Sequence, residues 1–145
     1  MTKGKLVLLV AASCLSSALV AAPLISAKEA ALPSASAAPL TRGISRGPAI
    51  KLNSPEADTA VMSPFNFKVA FEPRGGAKID PSSVRVIYMK SPFVDLTPRL
   101  KNAISPKGID FEKADAPPGT HTLRVSVKDT EGRETNQVLT LVVNK

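Results

Sequence analysis

An alternation of large apolar side chains with polar or small ones over residues 65–72 constrains the fold of this chain more than any other feature. The apolar positions are Phe65, Phe67, Val69 and Phe71. Because successive side chains of a strand point to opposite faces, the pattern predicts a strand with one buried and one solvated face. The 13 prolines of the chain disfavour long helices. Together these features predict an all-β fold.

Further strand signals recur at short intervals after residue 48, with turn signals between them, as is typical of a sandwich or barrel. They cover residues 84–89, 93–97, 109–111, 120–127 and 135–143. Turns are predicted at 80–83, where Asp80 and Pro81 suit the first positions, and at 129–132, where Gly132 supplies a positive φ. No helical apolar period of useful length follows residue 27. We therefore predict one antiparallel β-sandwich of about seven strands over residues 48–145.

The first 27 residues are typical of a secretory signal peptide. A short basic leader precedes a stretch that is rich in apolar and small residues. Ile25 and Ala27 put an aliphatic and a small residue where a signal peptidase reads the chain, so we predict cleavage after Ala27. The competing cut after Ala22 would make Pro23 the first mature residue, with no N–H at the cleaved bond.

Two other interpretations of the N-terminus stay open. Residues 6–25 have the length of about 20 residues that a transmembrane helix needs, but serines, Pro23 and many alanines dilute their apolar character. Cys14 follows small residues, as the lipid-bearing cysteine of a lipoprotein does, although the residues after it stay apolar. Cleavage after Ala27 predicts a mature chain with no cysteine, no disulfide and no membrane span.

Residues 28–47 are rich in Ala, Ser and Pro and contain few side chains able to fill a core. This composition predicts a disordered linker between the signal peptide and the sandwich. A docking peptide at residues 42–47, which repeat an Arg-Gly pair, is the alternative interpretation.

The chain has 19 basic and 12 acidic residues, which give it a formal net charge of +7 at pH 7. The basic residues are dispersed singly, with no run and little aromatic interleaving. Since a concentrated basic patch is the feature that indicates nucleic-acid binding, we predict no nucleic-acid partner. Dispersed charge favours a solvated surface, with weak attraction to anionic cell-surface polymers as the alternative.

Two stretches of the chain resemble the bacterial immunoglobulin-like domains of exported and surface proteins. The first is residues 79–88 followed by 94–98, and the second is residues 117–133, with a proline-glycine turn, a strand and an Asp-x-x-Gly hairpin. The resemblance covers residues 48–144 and implies a single Ig-like or fibronectin-III-like β-sandwich. Such domains act as spacers, adhesive modules or protein- and sugar-binding units, so the resemblance implies an interaction role.

His121 is the only histidine, so any catalytic triad or imidazole metal site would depend on it. It begins the penultimate predicted strand, where sandwiches often hold an aromatic side chain that bonds back to the upstream backbone. We predict this structural role, with a ligand or proton-transfer role as the alternative. No nucleophile elbow or other catalytic motif is recognisable, so we predict that the chain is not an enzyme. A copper site needs a His or Met cluster, which His121, Met62 and Met89 are too few to form.

Three carboxylates surround the final hairpin, namely Asp129, Glu131 and Glu134. Their oxygens could bind calcium, as those of interdomain loops in related sandwiches do. The alternative is a solvated turn in which Asp129 caps its own backbone, and we favour this interpretation.

An apolar, proline-flanked segment offers the best candidate for a partner contact, and its residues are Met89, Pro92, Phe93 and Val94. An exposed Phe93 would indicate a partner site. The alternative is that Phe93 closes the end of the core.

We therefore predict a non-catalytic periplasmic or secreted binding module, without a cofactor, that recognises an envelope protein or polysaccharide. One alternative is a periplasmic sandwich protein that handles copper or calcium. The other is an accessory subunit or chaperone that pairs its edge strand with a partner.

Overall fold

Strands occupy most of the residues that the computed structural model describes, which are 22–36 and 45–145. The strands are β1 (Ala22–Pro23), β2 (Ala49–Ser54), β3 (Ala60–Met62), β4 (Phe65–Glu72), β5 (Ile79–Tyr88), β6 (Val94–Asp95), β7 (Ile104–Ser105), β8 (Gly108–Asp115), β9 (Gly119–Asp129) and β10 (Glu134–Asn144). The helices are single turns: α1 (Ala27–Ala30), α2 (Thr97–Leu100) and a 3-10 helix (Lys101–Ala103). The prediction of an all-β sandwich is confirmed. Within the two described ranges, no helix has the length and apolar character to cross a membrane.

Two sheets form the sandwich. The first has the order β1-β8-β4-β2, with β7 also paired to β8, and the second has the order β3-β10-β9-β5-β6. Two pairings are parallel, β1 with β8 and β3 with β10, and the prediction of an antiparallel sandwich is right for the others. β2 and β3 are consecutive in the chain but lie in different sheets.

The core lies between the two sheets. On β4, the predicted apolar face is buried, since Phe65, Phe67, Val69 and Phe71 are at most 7% exposed. Inward residues of β5, β9 and β10 cover this face, and burial of each large apolar side chain stabilises the fold by about 1.5–3 kcal/mol. Gly108 allows β8 to approach β4, because a Cβ at this position would overlap the carbonyl oxygen of Val69.

The turn signals of the sequence have two different outcomes. The hairpin between β9 and β10 has Gly132 at a φ of +79°, as its sequence predicts. The predicted turn at 80–83 instead lies inside β5, where the pairing with β9 is interrupted between Asp80 and Arg85. The Asp80 carboxylate accepts a hydrogen bond from Ser82 N at 3.0 Å. The local turn chemistry is therefore present, but it produces a bulge in a longer strand.

The N-terminal segment, which we define as residues 22–36, lies against the sandwich. Leu24 and Ile25 belong to the core, at 0% and 3% exposure. Lys90 forms a β-bridge with Ser34, in the part of the chain predicted as linker. The predicted signal sequence up to residue 21, including Cys14, and residues 37–44 of the predicted linker lie outside the described residues.

Candidate functional site

The predicted contact segment leads from β5 to β6, at one edge of the second sheet. Phe93 is 58% exposed, and Pro92 is exposed beside it, whereas Met89 and Val94 are half-buried. Val94 packs against the core. The segment is thus anchored through Val94, and Phe93 projects from it instead of closing the end of the core.

Arg124 of β9 is a neighbour of Phe93 that the sequence did not single out. Its guanidinium carbon lies 5.7 Å from the centre of the Phe93 ring, within the range of a cation–π interaction. In the sheet Arg124 pairs with Ile87. Both lie on the outer face, because the residues beside them, Val86 and Val125, point into the core. None of the ion pairs among the described residues includes Arg124.

We define the Phe93 surface by four residues, Ile87, Met89, Phe93 and Arg124. One more base, Arg85, lies on the same outer face along β5, whereas the ammonium of Lys90 lies over the buried Tyr88 ring. The nearest acid in the sheet, Asp95, pairs with Ile87 in the register and accepts a hydrogen bond from Thr97 N at 2.9 Å. The surface therefore combines an exposed aromatic ring, half-buried apolar side chains and positive charge. This chemistry suits contact with an apolar group that has anionic neighbours.

His121 lies inside the sandwich, on the opposite side of the second sheet from Arg124. It is 2% exposed, and its Nδ1 lies 2.8 Å from the hydroxyl of Tyr88. Its Nε2 lies 2.7 Å from the carbonyl oxygen of Pro117, which can only accept. Nε2 therefore donates to Pro117, and Nδ1 shares a hydrogen bond with the Tyr88 hydroxyl. Pro117 lies four residues before His121 in the sequence.

Tyr88 completes this buried polar pair. Its ring meets the His121 ring edge to face, with centroids 5.7 Å apart, and it is 1% exposed. Burial raises the pKa of Tyr88, and the negative charge of Glu29 raises it further. In the described part of the chain, every buried side-chain N or O atom has a hydrogen-bond partner. Both ring nitrogens of His121 are thus engaged in structural contacts.

Asp129 holds the final hairpin from inside. Its Oδ1 accepts hydrogen bonds from the backbone N–H groups of Glu131 and Arg133, each at 2.9 Å, and its Oδ2 accepts from Arg133 Nε at 2.7 Å. Burial alone would raise the pKa of Asp129, but these hydrogen bonds outweigh it and hold the pKa below its usual range. Asp129 caps its own turn, but it is 3% exposed, whereas the sequence predicts a solvated turn.

The carboxylates proposed for calcium each face a basic side chain. Glu131 pairs with Arg133 at 3.0 Å, and Glu134 pairs with Lys128 at 3.4 Å. A cation bound by Asp129 would have to displace the Arg133 guanidinium. Across residues 22–36 and 45–145, no group of three or more His, Cys, Asp or Glu side chains is placed to hold a metal ion.

Comparison with known proteins adds no family assignment. No family model matches the sequence, and no curated protein matches it either.

The predicted site residues thus fall into separate regions. The residues from Met89 to Val94 lie at the β6 edge, while His121 and Asp129 lie in the interior of the sandwich. Arg124 was not predicted as part of the surface. Its alternation with Leu123 and Val125 signals a solvated position, but only the strand register brings it next to Phe93.

Proposed function

We propose that this chain is a non-catalytic periplasmic or secreted binding module with an Ig-like sandwich, which recognises an envelope protein or polysaccharide through the Phe93 surface. The protein needs no cofactor in this role. The sandwich acts as a rigid frame that presents one edge of its second sheet to the partner.

The strand order supports the Ig-like part of the proposal. Constant-type immunoglobulin domains have strands A, B, E and D in one sheet and C, F and G in the other. The long strands here follow a matching order, with β2, β4 and β8 adjacent in the first sheet and β5, β9 and β10 adjacent in the second. The contact of His121 with Pro117 supplies a link similar to the tyrosine corner of such domains.

The exposure of Phe93 is the observation that carries the functional proposal. Only two large hydrophobic residues among those described are exposed, Phe93 at 58% and Met62 at 67%. Phe93 has a cation beside its ring and apolar neighbours in Met89 and Ile87. Aromatic residues and arginine dominate the binding energy of protein interfaces. An aromatic ring next to a guanidinium is therefore a suitable anchor for a partner.

A protein partner with an acidic rim fits this surface better than a polysaccharide does. Sugars are recognised through many polar contacts beside an aromatic ring, whereas the Phe93 surface is mainly apolar apart from Arg124. The charge of Arg124, with Arg85 nearby, attracts acidic residues and speeds association at low salt.

Affinity capture from an envelope extract tests the proposal. The exported full-length protein, tagged at its C-terminus, is used as wild type and as the Phe93→Ala, Arg124→Ala and Met62→Ala variants. Bound proteins and glycans are identified by mass spectrometry. Met62 is the matched control, because it is equally apolar and exposed but belongs to β3 at the other edge of the same sheet.

We expect one saturable protein that binds wild type and Met62→Ala, binds Arg124→Ala weakly, and is lost with Phe93→Ala. Circular dichroism checks that each variant is folded. Binding that is equal in all four proteins, or no binding by a folded wild type, would contradict the proposal. Selective capture of a glycan through Phe93 would assign the same surface to a polysaccharide.

A further inference from the structure

The N-terminal segment is an integral part of the hydrophobic core. Leu24 is 0% exposed and Ile25 is 3% exposed, and both belong to the same buried cluster as the strands of the two sheets. Their backbone N–H groups donate to the carbonyl oxygen of Asp115, at 2.9 and 3.1 Å. A chain without these two residues would lose their buried surface and the pairing of β1 with β8.

A capped helix follows immediately. Ser26 Oγ accepts from Glu29 N at 3.3 Å, and the Glu29 carboxylate accepts from Ser26 N at 2.9 Å, which is a complete capping box. The bond predicted for cleavage, between Ala27 and Lys28, lies inside this helix. A peptidase needs an extended substrate, so this bond is protected once the domain has folded.

Arg99 joins the two sides of that bond. Its Nη1 donates to the carbonyl oxygen of Leu24 at 2.8 Å, and its guanidinium binds both carboxylate oxygens of Glu29, at 2.8 and 2.5 Å. The hydrogen bond from Arg99 is the main reason that the pKa of Glu29 is lowered to about 2. One side chain of the sandwich thus holds the chain both before and after the bond between Ala27 and Lys28.

The segment then continues to the second sheet. Ser91 N donates to the carbonyl oxygen of Pro33 at 2.8 Å, and Ala35 N donates to that of Met89 at 3.1 Å. Residues 22–36 therefore run from the β8 edge of one sheet to the β5 end of the other. The N-terminal segment is therefore hydrogen-bonded to the sandwich at both of its ends.

We propose that the exported chain is cut before Pro23, at the bond between Ala21 and Ala22, so that the mature domain keeps the whole N-terminal segment. Leu19 and Ala21 offer the aliphatic and small residues that a signal peptidase reads, and Pro23 becomes the second mature residue instead of the first. Water adds to the carbonyl carbon of Ala21, the C–N bond breaks, and the proton goes to the Ala22 amine. The products are the free signal peptide, ending in the Ala21 carboxylate, and a domain with an intact core.

The inference rests on the export that the proposed function requires, and the mass of the processed protein tests it. The full chain with its C-terminal tag is produced in a Gram-negative bacterium, and the envelope fraction is analysed by intact mass spectrometry. A mature protein that begins at Ala22 is the expected result. A mature protein that begins at Lys28 would overturn this inference and leave the binding role standing, whereas retention of Met1 with the whole leader would overturn this inference and favour a transmembrane anchor at residues 6–25.

A matched pair of substitutions identifies the bond that is cut. Ala21→Tyr puts a large side chain directly before the proposed bond, and we expect loss of the mature form with accumulation of the precursor. Ala27→Tyr makes the same change at an exposed position of α1, and we expect the same mature N-terminus as in wild type. The reverse pattern, with processing blocked by Ala27→Tyr alone, would overturn the inference.

Discussion

Tyr88 and Phe93 are close in sequence, and each lies near a cation, yet their surroundings are opposite. Tyr88 is 1% exposed, with Lys90 Nζ 5.4 Å from its ring centre and its hydroxyl bonded to His121. Phe93 is 58% exposed, with Arg124 beside its ring. The first aromatic residue lies between the sheets, and the second lies outside them.

The difference shows which polar groups are buried in the fold and which are exposed at the surface. The residues that could support catalysis or metal binding, His121 and Asp129, have hydrogen-bond partners at both polar atoms of their side chains. The Phe93 surface has an aromatic ring and a guanidinium that no carboxylate of the described residues pairs with. The side chains of His121 and Asp129 therefore stabilise the fold, while the Phe93 surface is exposed.

The largest loss of stability is expected when the buried contact between His121 and Tyr88 is removed. His121→Ala leaves the Tyr88 hydroxyl and the Pro117 carbonyl without partners and creates a void, so the free energy of unfolding should fall by about 3–5 kcal/mol. Urea unfolding followed by circular dichroism measures the change. Thr122→Ala, at the next position on the outer face, is the matched control and should change stability by less than about 0.5 kcal/mol. Equal stability of His121→Ala and wild type would remove the structural role of the pair.

A smaller loss of stability is expected when the exposed Phe93 side chain is removed. Phe93→Ala removes a side chain that is more than half exposed, so the free energy of unfolding should fall by about 1 kcal/mol or less, including the contact with Arg124. The same urea experiment measures it. A loss of several kcal/mol, which is the range for a fully buried phenylalanine, would show that Phe93 belongs to the core. It would contradict the contrast between an exposed Phe93 and a buried Tyr88.

The smallest expected effect is a raised pKa of the Tyr88 hydroxyl. Tyr88 is the only tyrosine of the chain, so ultraviolet difference absorbance reports its ionisation alone. We expect its pKa to exceed the ordinary value of about 10, because burial and the charge of Glu29 both disfavour the phenolate. The corresponding stability is complete below the unfolded pKa and is lost as pH rises through the folded one.

Two controls sharpen that titration. The Glu29→Gln variant should lower the pKa of Tyr88 slightly, since it removes one of the two causes, and leave it above the value of the unfolded chain. The unfolded chain in urea supplies the reference. A midpoint in the folded protein equal to that reference would mean that the Tyr88 hydroxyl is in contact with water.

Local patterns were sufficient to predict the class of fold and several of its strands. The alternation from Phe65 to Phe71 identifies β4 and its buried face without any knowledge of its partners, because a period of two has one structural meaning. The Asp-x-x-Gly sequence before Arg133 similarly identifies the last hairpin. The bulge at residues 80–83 was not predictable in this way, since turn chemistry has the same appearance inside a strand and between two strands.

The amino-acid composition of the N-terminal segment did not predict that it belongs to the folded domain. Leu24 and Ile25 extend an apolar stretch that is typical of a signal peptide, and an apolar residue of a signal peptide has the same chemistry as one of a core. The sequence from Ser26 to Glu29 does contain the S-x-x-E pattern of a capping box, which could have identified α1. The contact of Phe93 with Arg124 depends on strand register, which no local pattern specifies.

The pairing of β1 with β8 also sets an order of events. Leu24 and Ile25 find their backbone partner at Asp115, about 90 residues later in the sequence, so a chain that emerges from its N-terminus cannot form this pairing before β8 has been made. In the folded domain the backbone N–H groups of both residues are hydrogen-bonded to the carbonyl oxygen of Asp115. The first described residues of the chain can therefore take their final place only after β8 has been added to the first sheet.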